Sequence, residues 1–282
     1  MFFGSYWKPL PKGWLMSLRI LARSPEYLVI SKPAGLAFHQ EGEEPGVMQI
    51  LRQMETEGKL PAGERLFPVH RLDTITSGIL VIARGRKSAN QIGNEFRFGR
   101  VEKVYCAISE KAPTRVMGTI SGDMEKAREG NWQLTRSQKD PAVTHFISVP
   151  YKTDRAMRLF LLRPATGKTH QIRVALKSIG SPILGDGRYG GYGRAREEER
   201  GYLHAYAIRF RSNGKTVQVI DYPTEGREFR REGFLMALKQ AGDPFSIRWP
   251  GLRSAGKRPF DPYEKPRKAK KKRPPKRRGS EA

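Results

Sequence analysis

Five consecutive apolar residues, Ile79-Leu80-Val81-Ile82-Ala83, follow a polar, glycine-punctuated turn that carries one acid, Asp73. An apolar run of that length opened by Gly78 reads as a β-strand. The fold must therefore present a strand whose mouth holds a carboxylate. An acid in such a turn can be fixed rigidly and still face a cleft; the plainer alternative is that Asp73 only closes an Asx-turn with its threonine and serine neighbours.

The rest of the chain alternates strands with occasional helices and does not repeat. Tyr27-Leu28-Val29-Ile30-Ser31-Lys32 reads as a short strand stopped by Pro33, with Gly35 turning the chain. Residues 46–54 and 88–98 have roughly helical apolar spacing, and Val104-Tyr105-Cys106-Ala107-Ile108 is the next strand. Residues 114–140 are polar and glycine-dotted, which predicts a weak hairpin or mobile loops. Further strands are expected at 142–149, 157–162, 202–210 and 216–220. A helix is expected at 169–180, with a threonine near its start and Gly180 as its stop, and another at 228–240.

Charge narrows the partner. Lys and Arg outnumber Asp and Glu by 53 to 28, a net +25. From Arg253 onward 13 basic face 3 acidic residues, or +10, so the body still carries +15. Such an excess suits a polyanion, because cations that neutralise phosphates release condensed counterions. No basic amphipathic helix long enough to favour a membrane surface is apparent, and no run of about 18 apolar residues could span one. The single cysteine, Cys106, excludes an intramolecular disulfide and a cysteine-cluster zinc site and fits a reducing compartment. Composition divides the chain into an N-terminal extension (1–24), a folded body (25–250) and a lysine-, arginine- and proline-rich tail (251–282) too poor in apolar residues to fold.

Four ordered segments resemble the RluA family of pseudouridine synthases: Lys32-Pro33-Ala34-Gly35-Leu36; His70-Arg71-Leu72-Asp73 followed by Thr76-Ser77-Gly78; Lys103-Val104-Tyr105; and Thr166-Gly167-Lys168-Thr169-His170-Gln171-Ile172-Arg173. Pro182-Ile183-Leu184-Gly185-Asp186 and Leu203-His204-Ala205 extend the match. The resemblance implies an α+β pseudouridine synthase fold, with a mixed, mostly antiparallel sheet, flanking helices and a central RNA-binding cleft. It also implies isomerisation of uridines in ribosomal or transfer RNA by a cytoplasmic, monomeric enzyme that needs no cofactor or metal.

That reaction breaks the N1–C1′ bond, turns the uracil and rejoins it through C5. The resemblance assigns the catalytic carboxylate to Asp73, leaving open attack at C1′, addition at C6 and a glycal route. It assigns Tyr105 to stacking on the uracil and to proton movement at the sugar, for which a phenol of reference pKa about 10 needs help. It assigns Arg173 to holding Asp73 ionised and oriented. A uridine inside folded RNA must be flipped out, and Arg71, two residues before Asp73, is the expected wedge. Lys32, Lys103, Lys168 and His170 are candidates for phosphate or motif-loop contacts, with Lys32 and Lys103 alternatively supporting the floor of the site.

The chain departs from the family at Val174-Ala175, where Val-His is usual, and at Tyr202, where an arginine often precedes Leu-His-Ala. The residues ahead of the first motif are too few for a small S4-like RNA-binding domain, a role the basic tail could fill. Other chemistries fit poorly. A phosphate-binding P-loop ending at Gly167-Lys168-Thr169 would need glycine where Leu162 stands, Ser77 lacks a nucleophile-elbow frame, and the histidines show no i, i+4 metal pair. The rival from another class is a non-catalytic RNA-binding or assembly protein that keeps the synthase fold.

Overall fold

A computed structural model describes residues 18–60 and 65–251. Among these, ten strands form one sheet and two more form a separate hairpin. In chain order the strands are β1 (Arg19–Arg23), β2 (Tyr27–Lys32), β3 (Leu66–Pro68), β4 (Thr76–Arg84), β5 (Glu102–Ser109), β6 (Met117–Gly122), β7 (Met124–Lys126), β8 (Trp132–Leu134), β9 (Ala142–Tyr151), β10 (Met157–Pro164), β11 (Leu203–Ser212) and β12 (Lys215–Ile220). The main sheet runs β1-β2-β4-β11-β5-β10-β9-β6, with β3 on β4 and β12 on β11.

Every named pairing is antiparallel except β4 with β11. Those two strands start at the same end, Thr76 opposite Leu203, so the turn carrying Asp73 opens there beside the first residues of β11. Gly78 makes the close pairing feasible. Its φ is +102°, and a Cβ at this position would lie 2.4 Å from the Ala205 carbonyl oxygen, so only glycine fits. The expected apolar strand at 79–83 extends to 76–84, with all but its last residue buried, as a central strand covered on both faces requires.

The helices pack on this sheet. Helix α1 (Val47–Thr56) buries Val47, Ile50, Leu51 and Met54, the i, i+3, i+4, i+7 stripe of an amphipathic helix. Helix α2 (Gly85–Arg97) follows β4 directly and buries Ile92. Helix α3 (Gln171–Ser178) is followed by two single turns, α4 (Gly187–Gly190) and α5 (Tyr192–Ala195). Helix α6 (Glu232–Gln240) covers the far side with Phe234, Ala237 and Leu238.

Several expectations shift. The extension placed at 1–24 ends too late, because residues 19–23 form β1 and pair with β2. Residues 1–17 and the tail from 252 lie outside the described residues. Within 114–140 the expected weak hairpin is present as β7–β8, and the unexpected addition is the edge strand β6, whose polar face hides its pattern. The helix expected from 228 begins with a separate 3₁₀ turn, Glu228–Arg230, since Arg231 has an extended backbone. The helix expected from Thr169 starts at Gln171, because His170 adopts a left-handed conformation, φ 57°.

Candidate active site

The mouth of the β4–β11 pair opens into a cleft of about 690 Å³, to which Asp73, Tyr105, Arg173, Arg71, Lys103, Lys168 and His170 all contribute. These residues come from the turn before β4, from β5, and from the loop and first turns of α3. Lys32 does not line the cleft.

Backbone bonds set the Asp73 turn. The Thr76 N–H closes it onto the Asp73 carbonyl at 3.0 Å, and the Gly35 N–H binds the Thr74 carbonyl at 2.8 Å. The Asp73 carboxylate is thereby left to Arg173, whose Nη1 donates to Oδ2 at 3.3 Å. Upstream, His70 ties the same segment to β4 by accepting the Val81 N–H at 2.9 Å, with its ring stacked on Phe96 at 4.4 Å. Burial, then the charge of Lys103, pushes the pKa of His70 down to about 3, so this imidazole is neutral and serves as an anchor.

Lys32 takes the second of its two expected places, supporting the floor of the site. Its side chain is fully buried beneath the turn, and Nζ donates to the carbonyls of Leu36 at 2.7 Å, Pro33 at 2.9 Å and Thr74 at 3.4 Å. The expectation of an RNA contact is therefore corrected: this ammonium gathers carbonyls under the Asp73 turn. Burial pushes its pKa down to about 7.

Arg173 is itself anchored. Nε and Nη2 donate to the two oxygens of Asp186 at 2.7 and 2.9 Å, a fork-to-fork pair on a carboxylate that is 1% exposed. Burial opposes the Arg173 charge, but Asp186 and then Asp73 outweigh it and raise its pKa. Asp186 also accepts the N–H groups of Arg188 and Tyr189, capping α4. The preceding Gly185, with φ +75°, comes so close to the backbone of Arg200 that a Cβ would overlap it.

His170 faces the same cavity. The Trp132 N–H donates to the Tyr189 hydroxyl at 3.2 Å, and that hydroxyl lies 2.9 Å from His170 Nδ1. The Tyr189 ring sits under the Arg173 guanidinium at 4.9 Å. Burial lowers the His170 pKa from its ordinary value, with Asp73 pulling it back up. Gln171 orders the preceding loop. It accepts from the Lys168 N–H and the Thr166 hydroxyl, and donates to the Val143 carbonyl and the Thr144 hydroxyl. Lys168 pairs with Asp140 at the rim.

Two environments bear on proton chemistry. Burial first, then the Asp73 charge, drives the Tyr105 phenol above its ordinary pKa, so at neutral pH it can donate or stack but is a poor base. Burial pulls Lys103 down to about 8, which leaves it mostly cationic at neutral pH. Asp186 and Tyr189 acquired no role from their local patterns. Asp186 lay inside a matched motif, but nothing local to either residue signals a contact with an arginine more than ten positions away.

Comparison with known proteins gives a consistent answer. Residues 26–178 match the family model described as RNA pseudouridylate synthase. A Haemophilus influenzae protein called an uncharacterized RNA pseudouridine synthase is 38% identical over 212 residues, covering 75% of this chain and 90% of that protein. A Haemophilus ducreyi protein named tRNA pseudouridine synthase C is 32% identical over 233 residues, covering 73% and 89%. A Haemophilus influenzae ribosomal large subunit pseudouridine synthase C is 32% identical over 222 residues, covering 75% and 67%. Among solved structures, human RNA pseudouridylate synthase domain containing 1 superposes with a TM-score of 0.66 at 23% identity, covering 86% of this chain and 100% of that one, a likeness of fold.

Proposed function

The chain belongs to the RNA pseudouridylate synthase family and is an isomerase converting uridine to pseudouridine in RNA; on that premise we propose that Asp73 is its catalytic carboxylate and that its substrate is a ribosomal or transfer RNA. The observation that carries the first part is the chain of contacts Asp73–Arg173–Asp186. A doubly held guanidinium points its remaining nitrogen at a carboxylate in a cationic cleft. Binding RNA requires no such arrangement, whereas a reaction that builds positive charge at the sugar, or passes through a covalent bond to a carboxylate, does.

Tyr105 supports the reaction as a neutral phenol, by stacking on the uracil or donating a proton. Arg71 is exposed on the Asp73 turn, a position suited to filling the gap left by a flipped uridine. Arg71→Ala should then lose activity on folded RNA and keep it on an unstructured fragment; equal activity on both would remove the wedge. Lys103, Lys168 and His170 supply phosphate contacts along the cleft. The names of the relatives support the RNA class. A monomer as the acting unit and a cytoplasmic location belong to the same proposal.

The test is a pseudouridine map of total RNA, by carbodiimide labelling and primer extension, from cells with the protein, without it, and with Asp73→Asn. Loss of the same site or sites in both deficient strains is expected and names the target. A map unchanged by Asp73→Asn would contradict the role of the carboxylate, and a map unchanged by loss of the whole protein would favour a binding protein.

A further inference from the structure

At the rim of the cleft, where α2 ends, Phe98 is 60% exposed, the highest exposure among the large hydrophobic side chains of the described residues. A single exposed apolar residue is ordinary; the surroundings of this one are not. The Arg100 guanidinium lies over its ring at 4.9 Å and that of Arg97 at 5.9 Å. Arg100 is fixed in that place by Glu95, to which Nε and Nη2 each donate at 2.8 Å. Arg97 and Gly99, on either side of Phe98, line the cleft itself.

The platform is also tied to the reacting centre. Phe96, two residues earlier, stacks on His70, the residue next to Arg71 and anchored to β4. An exposed aromatic ring backed by the anchored Arg100 guanidinium and with Arg97 nearby, at the edge of a cationic cleft, has the chemistry that receives a nucleobase by stacking. Phosphates alone would call for the arginines without the exposed ring. We propose that Phe98, with Arg97 and Arg100, forms a stacking subsite for an unpaired base of the substrate RNA flanking the reacting uridine. The proposal rests on the reading of the cleft as the RNA site.

The experiment compares binding of two fluorescein-labelled probes of equal length and charge, a short oligouridylate and the corresponding abasic oligonucleotide, with binding as the only readout so that it stands whether or not Asp73 is catalytic. Phe98→Ala opens no core cavity, because the ring is mostly in solvent. It should weaken oligouridylate binding about tenfold, the effect expected on removing one base–aromatic stack, and leave the abasic probe unchanged. Phe98→Tyr should restore the difference between probes, and Phe98→Leu should not. Equal weakening on both probes, no weakening on either, or full rescue by leucine would overturn the subsite. If neither probe binds the unaltered protein, the reading of the cleft and the subsite that rests on it both fall.

Discussion

The geometry around Asp73 is decided by residues buried behind it, Asp186 and Lys32. Arg173 could pair with Asp73 in many orientations, and Asp186 removes that freedom by taking two of its nitrogens. Asp186→Asn should therefore lower kcat, by up to about a hundredfold, as small misplacements of a reacting group do, while RNA affinity stays unchanged. The same substitution sets an amide donor against a buried guanidinium, so stability should also fall, on the order of 3 kcal/mol by urea unfolding. A variant that kept kcat and bound RNA more weakly would show that Arg173 is a phosphate ligand and not the holder of Asp73. Lys32 makes the complementary point: its sequence context allowed either a phosphate contact or support of the floor, and burial under the turn decides for the floor.

Where strands meet, a directional chain of hydrogen bonds holds the mouth of the site. His204 Nε2 lies 2.8 Å from the Asp221 carbonyl, which can only accept, so Nε2 carries the proton and Nδ1 accepts from Ser77 at 2.7 Å. Arg200 in turn donates to Ser77 at 2.6 Å, and the Asp221 carboxylate takes Ser31 from β2 and Arg19 from β1. Burial holds the His204 pKa down at about 4, below the value of about 6.5 expected when unfolded. Between those values the unfolded chain binds more protons, so stability falls as pH drops from about 6.5 toward 4, by on the order of 3 kcal/mol in total. His204→Gln should flatten that part of the curve of unfolding free energy against pH; an unchanged slope would mean the imidazole is already protonated in the fold. Strands were legible here because β2, β4 and β5 are apolar runs with clear stops. Less legible were the left-handed conformation of His170, which delays α3, and the short, exposed strand β1, which shows no period.

Taken whole, the molecule sets an arginine-paired carboxylate, Asp73, in a strongly basic frame of net charge +25. Motif order, more than local periodicity, made the cleft legible in advance, because Asp73, Tyr105 and Arg173 lie on separate segments that only the sheet brings together. Removing residues 252–282 should weaken RNA binding at low salt and reduce the log–log salt slope by about 0.7 for each single-strand phosphate that the tail neutralises, with kcat unchanged; an unaltered slope would assign phosphate neutralisation to the body alone. The central claim is tested most directly by the release of tritium from RNA carrying uridine tritiated at C5, the atom that gives up its hydrogen when the new glycosidic bond forms. Purified protein should release tritium in step with pseudouridine formation and Asp73→Asn should release none, whereas release that persisted in Asp73→Asn would show that the carboxylate is not the group on which the reaction depends.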